Sequence, residues 1–328
     1  MGNLLSVVVP VYEASELFPI VLASLINQHY ENQVEILICD DGSSKRIFDI
    51  FRDLEYSSRY TLRYIWQPHT GNVSVARNAG IKCAQGDVLL FVDGDSIAPE
   101  NLFRFHMDKH RWGDKLLLSG SREYLLASSH DLDEFAHLSY PEISTYLTRL
   151  EAVSYVPFQR SLSFDLRWLA CLGCNLSVKR SEAVLFDEEF RGWGFEDSEL
   201  AFRLLKDHDY SIQVDTTSVV YSPEFLSDRA TFSTVRPRTH GEIVDYLYNI
   251  NYLKCKHPAI KIDKLINICS NFKLNRDTNE WTRVQNQLLR QRTTREVAGD
   301  LFFWYTERFP FQQWWVQYLK RDGEGENY

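Results

Sequence analysis

Short apolar runs alternate with segments of helical periodicity from residue 4 to residue 91, and this alternation constrains the fold more than any other feature. The apolar runs are rich in β-branched residues and too short for helices, as is typical of strands covered on both faces. They are Leu4–Val11, Val34–Cys39, Tyr60–Trp66 and Asp87–Phe91, with helices predicted at Ser15–Asn27, Arg46–Leu54 and Asn72–Ala84. The pattern predicts an α/β domain with a doubly wound, mostly parallel sheet.

The pattern changes after Pro223, where strand signals become rare. Further strands are predicted before that point, at Lys115–Gly120, Cys171–Val178 and within Tyr210–Val220. Helices are predicted after it, at Thr239–Leu253, Ala259–Cys269, Glu280–Ala298 and Asp300–Tyr305. We therefore predict one α/β domain over residues 1–230 and a helical C-terminal region over residues 231–328. The helices could bind an acceptor, a partner protein or a second copy of the chain, and packing against the α/β domain would explain their apolar stripes equally well.

Composition excludes several classes of protein. A formal net charge of -9 and a pI near 5.5 argue against a surface for nucleic acid, which requires a basic face. The N-terminus has no basic segment before its apolar run, and no run reaches the roughly 20 residues of a membrane-spanning helix. We expect a cytoplasmic protein, soluble or peripherally associated with a membrane, that has no transmembrane segment.

The six cysteines are scattered, mostly within apolar runs, which predicts buried and reduced thiols. Cys171 and Cys174 have the C-x-x-C spacing of redox and zinc sites. A zinc site needs a second pair of ligands, and none follows at the usual spacing. The sequence therefore favours a structural role for both residues.

Carboxylates follow two of the predicted strands directly. Asp40 and Asp41 come after the second strand, and Asp93-Gly94-Asp95 follows the fourth. Open α/β sheets bind ligands at the carboxyl ends of their strands, and carboxylate oxygens suit Mg²⁺ or Mn²⁺. The alternatives are an ordinary acidic turn at Asp93-Gly94-Asp95 and helix capping by Asp41 or Ser43.

Two further segments carry groups suited to chemistry. Arg77, within a predicted helix, is a candidate partner for phosphate, Asp40 or Asp93, and a solvated arginine is an equal alternative. Gly192-Trp193-Gly194-Phe195-Glu196-Asp197-Ser198-Glu199 combines flexible glycines, an indole suited to stacking on a sugar, and carboxylates at the start of a predicted helix. Capping would explain these acids but not the glycines and aromatics before them.

Taken in this order, the motifs resemble the inverting family 2 glycosyltransferases with the GT-A fold. The resemblance covers roughly residues 4 to 222. It rests on Val7-Val8-Val9-Pro10-Val11-Tyr12, Asp40-Asp41-Gly42-Ser43-Ser44, Ala76-Arg77-Asn78-Ala79-Gly80, Phe91-Val92-Asp93-Gly94-Asp95, Gly173-Cys174-Asn175-Leu176-Ser177-Val178-Lys179-Arg180 and Gly192–Glu199. The last segment is similar to one in β-1,4-galactosyltransferases, polypeptide N-acetylgalactosaminyltransferases and bacterial chondroitin-type polymerases.

The resemblance implies a donor-binding half over residues 1–98 and an acceptor-side half over residues 99–230. In the first half, Pro10, Tyr12 and Glu13 are expected to line the nucleotide pocket. Asp41 is expected to hold the base, and Arg77 to support the site.

The remaining matched positions imply the chemistry of transfer. Asp93, Gly94 and Asp95 are expected to face the diphosphate and a Mn²⁺ or Mg²⁺ ion, with Asp95 and Asp93 as ligands. Trp193, Gly194 and Phe195 are expected to contact the acceptor and sugars. Glu196 is also expected to contact the sugars, and we predict that it is catalytic. Asp197 is expected to be the general base.

One departure concerns the metal. Relatives often supply a histidine ligand after a later strand, where this chain has Val219-Val220-Tyr221-Ser222-Pro223-Glu224. His240 is the candidate third ligand if the chain folds back, and otherwise Asp95 and water would hold the ion.

The sequence thus predicts an inverting hexosyl- or N-acetylhexosaminyltransferase that uses a nucleotide sugar, expected to be UDP-linked, and a saccharide, small-molecule or peptide acceptor. A sugar- or nucleotide-binding scaffold without activity is the alternative of another class. A nucleotidyltransferase is disfavoured, because the chain lacks a glycine-rich, basic phosphate loop near Pro10.

Overall fold

The computed structural model describes residues 4–13, 17–55, 60–111, 113–127, 131, 134, 140–150, 152–154, 156–181, 184–192, 194–225, 240–260, 272–278 and 280–283. Internal contacts divide the chain into two compact units. The first unit comprises Met1–Glu189 and Glu196–Arg229. The second comprises Phe190–Phe195 and Ala230–Tyr328, so a short internal segment belongs with the C-terminal part.

The first unit contains an eight-stranded mixed sheet. Its strands are β1 Leu5–Val11, β2 Val34–Asp40, β3 Thr61–Trp66, β4 Val88–Phe91, β5 Leu116–Ala127, β6 Ala152–Ser154, β7 Leu176–Lys179 and β8 Ser211–Phe225. Strands β3, β2, β1 and β4 are adjacent and mutually parallel. Strand β7 runs antiparallel to β4 and β5, while β8 runs parallel to β5. The predicted α/β fold with a mostly parallel sheet is confirmed.

Helices connect the strands of this unit. They are α1 Phe18–Ile26, α2 Lys45–Glu55, α3 Val73–Cys83, α4 Leu102–His110, α5 Tyr140–Leu147, α6 Val156–Ser161, the 3₁₀ helix Phe164–Ala170 and α7 Glu196–Asp207. Every residue of β1, β2 and β4 is buried, which explains their continuous apolar sequence. Phe18 of α1 and Phe103 of α4 are also fully buried, each contributing about 1.5–3 kcal/mol to folding.

A buried polar network joins α4 to the antiparallel strands. The side chain of His106 lies 2.7 Å from Ser177 Oγ and 2.8 Å from Asn175 Oδ1. The amide of Asn175 donates to the carbonyl oxygens of Ser121 and Ser218. Burial lowers the pKa of His106 to about 3, so this imidazole is neutral. The network fixes β5, β7 and β8 together without placing a charge in the core.

Two sequence expectations need correction. Residues Cys171–Val178 do not form one strand, because the Asn175 N–H donates to the Leu172 carbonyl in a turn and β7 begins only at Leu176. Glu280–Arg283, predicted as the start of a helix, is strand β10, paired antiparallel with β9 Phe272–Asn275. The Asn275 side chain accepts the N–H groups of Asp277 and Thr278, and this turn chemistry favours a hairpin.

The helix predicted at Thr239–Leu253 is observed as α8 His240–Lys256. The helix predicted at Asp300–Tyr305 lies outside the described residues, as do residues 284–298 of the helix predicted from Glu280. Within the described ranges, no helix is both long enough and apolar enough to cross a membrane.

Candidate active site

Asp93, Gly94 and Asp95 form a tight turn at the carboxyl end of β4. The Gly94 N–H donates to the carbonyl of Pro10, the first of the expected nucleotide-pocket residues, at the end of β1. A Cβ at Gly94 would lie 2.9 Å from that oxygen, so only glycine allows the turn to approach β1 so closely. Asp93 is half-buried and Asp95 is exposed. The turn therefore presents one carboxylate inward and one to solvent.

Arg77 of α3 connects this turn to the start of α7. Its Nη2 lies 2.8 Å from Asp93 Oδ1, and its Nη1 lies 2.9 Å from Glu196 Oε1. The guanidinium is buried, and the two carboxylates keep its pKa raised against the opposing effect of burial. The sequence suggested phosphate, Asp40 or Asp93 as the partner of Arg77. In the structure, Arg77 pairs with Asp93 and also with Glu196.

Asp197 lies beside this network in the first turn of α7. Its Oδ2 accepts the Gly173 N–H at 2.9 Å, and its Oδ1 accepts the N–H of Ser198 at 2.7 Å. Burial and the negative charge of Glu196 raise the pKa of Asp197 to about 7, against the opposing effects of those N–H groups and Arg77. A carboxylate with a pKa near neutrality is well suited to accept a proton.

Asp41, after β2, differs in its surroundings. It is buried, and its carboxylate accepts hydrogen bonds from the Gln67 amide, the Thr70 hydroxyl, and the N–H groups of Thr70 and Gly71. Burial alone would raise its pKa, but these donors hold the pKa below its ordinary value. The Asp41 side chain therefore anchors the loop at residues 67–71.

Tyr12 and His69 form an exposed aromatic surface next to Asp41. Their rings are stacked, with centroids 4.0 Å apart and an interplanar angle of 17°. His69 Nδ1 lies 2.9 Å from the Asp41 carbonyl oxygen. Sequence reasoning singled out Tyr12 but missed His69, which lies in a loop without a recognisable motif.

Glu13 adopts a left-handed backbone conformation with φ of 47°. Its N–H donates to Ser43 Oγ, and its Oε1 accepts the Ser44 N–H at 2.8 Å. The side chain thus caps the loop before α2, as carboxylates commonly do at helix starts.

Sequence reasoning also missed Arg122 of β5. Its Nε donates to Ser222 Oγ at 2.8 Å, and its Nη2 lies 3.4 Å from Asp95 Oδ1. The guanidinium also lies over the ring of Tyr124, 4.8 Å from its centroid. Ser222 lies in the segment that was considered for a histidine ligand. Its hydroxyl accepts the hydrogen bond from Arg122. The available signal was an arginine within a predominantly apolar stretch, because charged residues are rarely buried without a partner.

The expected divalent cation can be tested against the oxygens present. Asp95 is exposed and supplies hard oxygen ligands, whereas the inward Oδ1 of Asp93 is bonded to Arg77. Within the described residues, no cluster of three His, Cys, Asp or Glu side chains could hold a metal by itself. His240 begins α8, and its side chain lies outside the description. These residues fit a cation held mainly through Asp95, with water and substrate phosphates as further ligands, which is the usual arrangement for Mg²⁺.

The segment Phe190–Phe195 belongs to the second unit, where it packs on α8. Gly194 and Phe195 have positive φ angles of 104° and 73°. The Phe195 ring lies 4.9 Å from that of Tyr246. Trp193, the expected sugar platform, lies outside the described residues.

The described cysteines are free thiols, including Cys171 and Cys174. Burial raises the pKa of Cys174 to about 12, so its thiol is protonated. A protonated, buried thiol agrees with the structural role that the sequence favours for Cys171 and Cys174.

Comparison with known proteins identifies similar proteins for much of the chain. The model of the family described as "Glycosyl transferase family 2" matches residues 6–129. Chondroitin synthase of Escherichia coli is 27% identical over 269 residues, covering 74% of this chain and 39% of that protein. Hyaluronan synthase of Pasteurella multocida is 26% identical, with coverages of 74% and 27%. Validoxylamine A glucosyltransferase of Streptomyces hygroscopicus subsp. jinggangensis is 26% identical, with coverages of 78% and 62%. The chain thus spans less than two thirds of each of these relatives.

Two solved structures have the same fold. S. aureus TarS 1-349 in complex with UDP-GlcNAc gives a TM-score of 0.50 at 16% identity, covering 81% of this chain and 70% of that chain. Mannosyltransferase PcManGT from Pyrobaculum calidifontis, in complex with GDP-Man and Mn²⁺, gives 0.51 at 13% identity, with coverages of 79% and 65%. Together with the motifs and the sheet, these matches show that residues 6–129 match glycosyl transferase family 2 and that the chain has the GT-A fold.

Proposed function

We propose that this chain transfers a sugar from a nucleotide diphosphate, specifically a UDP-sugar, to an acceptor hydroxyl with inversion at the anomeric carbon. The observation that carries the proposal is the buried pairing of Arg77 with both Asp93 and Glu196. Through it, the turn after β4 and the first turn of α7 share one ion-pair network. Asp93, which is proposed to face the diphosphate, is thus linked to the helix start that carries Asp197, the proposed base.

Donor binding is assigned to the carboxyl ends of β1, β2 and β4. The stacked rings of Tyr12 and His69 offer a surface for the uracil base, with Pro10 and Glu13 lining the same pocket. Asp41 remains the proposed base-binding residue, acting from a loop whose shape its own carboxylate maintains. The complex of TarS with UDP-GlcNAc supports a UDP-linked donor for this fold.

Asp95 and Asp93 would hold Mn²⁺ or Mg²⁺, consistent with the Mn²⁺ in the PcManGT complex. Such a cation, when bound, neutralises charge on the departing diphosphate. Arg122 lies within 3.4 Å of Asp95 and adds a fixed positive charge near the same phosphates. Gly94 keeps the turn close to β1, so the carboxylates are oriented before the donor binds.

Asp197 is the proposed general base. The acceptor hydroxyl oxygen forms a bond to the anomeric carbon as its proton passes to the Asp197 carboxylate. The bond from that carbon to the diphosphate breaks, and its electron pair leaves with the diphosphate. Attack from the face opposite the leaving group inverts the configuration, so no covalent enzyme intermediate is required.

The acceptor is proposed to be a saccharide hydroxyl, and the sugar moved a hexose or an N-acetylhexosamine. The names of the relatives, chondroitin synthase and hyaluronan synthase, support this class. Validoxylamine A glucosyltransferase supports a small sugar-like acceptor as well. Trp193, Gly194 and Phe195 are the proposed acceptor contacts.

Donor binding can be tested by thermal unfolding with a panel of nucleotide sugars, each with and without Mn²⁺. A ligand that binds only the folded state raises the melting temperature, by an amount equivalent to about 2.7 kcal/mol at one hundred times its Kd. We expect a Mn²⁺-dependent rise with a UDP-sugar. Asp95→Asn should abolish the Mn²⁺ dependence, whereas Asp53→Asn, at an exposed carboxylate of α2, should retain it.

Transfer is then tested by ¹H NMR of the product formed with a panel of p-nitrophenyl β-D-glycosides. A β-linked product from an α-linked UDP-sugar would support inversion. An α-linked product would refute the single displacement, and donor binding without release of UDP would indicate an inactive binding protein.

A further inference from the structure

Asn249 of α8 makes three hydrogen bonds to the glycine-aromatic loop, residues 190–195. Its Oδ1 accepts the Arg191 N–H at 2.8 Å. Its Nδ2 donates to the carbonyls of Arg191 and Gly194, at 2.7 and 2.8 Å. Asn249 is completely buried and lies 58 positions from Arg191 in the sequence. A buried amide bonded to the backbone at both ends of a loop restricts the shape of that loop.

Aromatic side chains of α8 hold both ends of the same loop. The Phe190 ring lies 5.1 Å from the ring of Tyr252, and the Phe195 ring lies 4.9 Å from that of Tyr246. The guanidinium of Arg191 lies 4.0 Å from the ring centroid of Tyr248. One face of α8 is therefore the surface on which the glycine-aromatic loop folds.

The glycines of the loop are explained by the same helix. A Cβ at Gly192 would lie 2.4 Å from Asp245 Oδ2, and a Cβ at Gly194 would lie 2.8 Å from the Tyr246 ring. From the sequence, these glycines were interpreted as flexible positions. In the structure, the space that a side chain would need at both positions is taken by α8.

The loop backbone is strained and needs external support. Gly192, Gly194 and Phe195 all have positive φ, at 51°, 104° and 73°. For phenylalanine this conformation costs on the order of 1 kcal/mol or more, and it persists only where surrounding contacts impose it. In this protein those contacts come from α8, where the Tyr246 ring lies 4.9 Å from the Phe195 ring.

We propose that Asn249 is a positioning residue for sugar transfer, which fixes the glycine-aromatic loop in the conformation that receives the acceptor. The inference rests on the proposed function, because it takes Trp193, Gly194 and Phe195 as acceptor contacts. It assigns a role to α8 that the sequence left open among acceptor binding, partner binding, self-association and packing. The helix acts through the loop and need not touch the acceptor.

The test is Asn249→Asp in the full chain. Aspartate keeps the size of the side chain and an oxygen for the Arg191 N–H, but it turns a carboxylate oxygen toward the two carbonyls. We expect the KM for the p-nitrophenyl glycoside acceptor to rise at least about tenfold, as when one net hydrogen bond to a charged or buried group is lost. The Kd of the UDP-sugar and its slow hydrolysis by water should stay within about twofold of wild type, because neither needs the loop.

Lys254→Met is the matched control on the same helix. Lys254 donates to the carbonyls of Pro258 and Ile260 at the far end of α8, so its loss weakens the helix without contacting the loop. Its acceptor KM should equal that of wild type. Tyr246→Leu is a second variant, and it should raise the acceptor KM in the same way by removing the ring on which Phe195 packs.

Hydrogen exchange supplies a readout of loop shape. In Asn249→Asp, the peptide covering residues 190–195 should exchange faster, while the peptide covering β4 should be unchanged. An acceptor KM and loop exchange equal to wild type in Asn249→Asp would overturn the inference. If Asn249→Asp does not fold, the same two measurements on Tyr246→Leu decide it. Wild-type protein that releases UDP from no nucleotide sugar would instead defeat the proposed function.

Discussion

Asp41 and Asp197 are two enclosed carboxylates of one unit with opposite electrostatic surroundings. Asp41 is bonded to four donor groups of the loop at residues 67–71, and its pKa is lowered. Asp197 accepts mainly two N–H groups, lies beside the charge of Glu196, and has a pKa raised to about 7. Several hydrogen-bond donors keep a carboxylate ionised, whereas burial beside a like charge raises its pKa toward neutrality.

The difference separates two uses of acidic residues that look alike in sequence. From the sequence, both could be described as helix or turn caps. Only the count of donors and the nearest charge distinguish a carboxylate that shapes a loop from one that can exchange a proton. Each variant below tests one side of that distinction.

The largest effect is expected from Asp197→Asn, which removes the proposed base while preserving the shape of the side chain. We expect kcat to fall by about 10²–10⁴, the range typical of general acid-base catalysis, with little change in the Kd of the donor. Asp207→Asn, at an exposed position of the same helix, should keep wild-type kcat. Parallel losses of donor affinity and kcat in Asp197→Asn would contradict the role of base.

Asp41→Asn should act mainly on stability. Its amide group would face the N–H groups of the loop, so we expect the free energy of unfolding in urea to fall by about 2 kcal/mol. Because the pKa of Asp41 is lowered by folding, its stabilisation is present above pH about 4 and is lost as pH falls through the folded value. The difference from wild type should therefore shrink below pH 4. A variant as stable as Asp53→Asn at pH 7 would show that the loop does not depend on this carboxylate.

Glu196→Gln should give the smallest effect on activity, a shift of the pH profile, because its amide oxygen can still accept the Arg77 hydrogen bond. The wild-type kcat/KM should rise with pH through about 7, because Asp197 acts as a base only when it is ionised. Without the charge of Glu196, the pKa of Asp197 should fall, and the acidic limb should move down by about one pH unit, or 1.4 kcal/mol. Glu189→Gln, at an exposed residue, serves as the control. A limb that stays in place, or moves to higher pH, would exclude coupling between the two carboxylates.

The parts of the site that could be predicted from sequence are the local ones. A buried strand followed by Asp93-Gly94-Asp95 needs only its own neighbours to be recognised, because strand ends of a parallel sheet share one edge. The same reasoning identified Asp40 and Asp41 as strand-end residues. The sequence does not show how many hydrogen-bond donors surround a carboxylate. It therefore could not show that Asp41 anchors a loop.

The parts that could not be predicted depend on residues far apart in the chain. Arg77 and Glu196 are 119 positions apart, and nothing in either motif indicates the other. Asn249 lies in an amphipathic helix whose pattern is explained by packing alone, so its bonds to the loop left no signal. The hairpin of β9 and β10 was misread because helical periodicity was weighed above the turn-forming side chain of Asn275.

The bridge made by Arg77 also has a consequence for how the protein folds. A buried guanidinium with one carboxylate removed is strongly unfavourable, by about 3–5 kcal/mol. The segment matched by the family model, residues 6–129, contains Arg77 and Asp93 but not Glu196, nor the strand β7 that pairs with β4. A fragment limited to that segment would carry the recognisable motifs and yet lack the partners that keep them buried. The Arg77 ion-pair network is therefore complete only when residues on both sides of position 129 have come together.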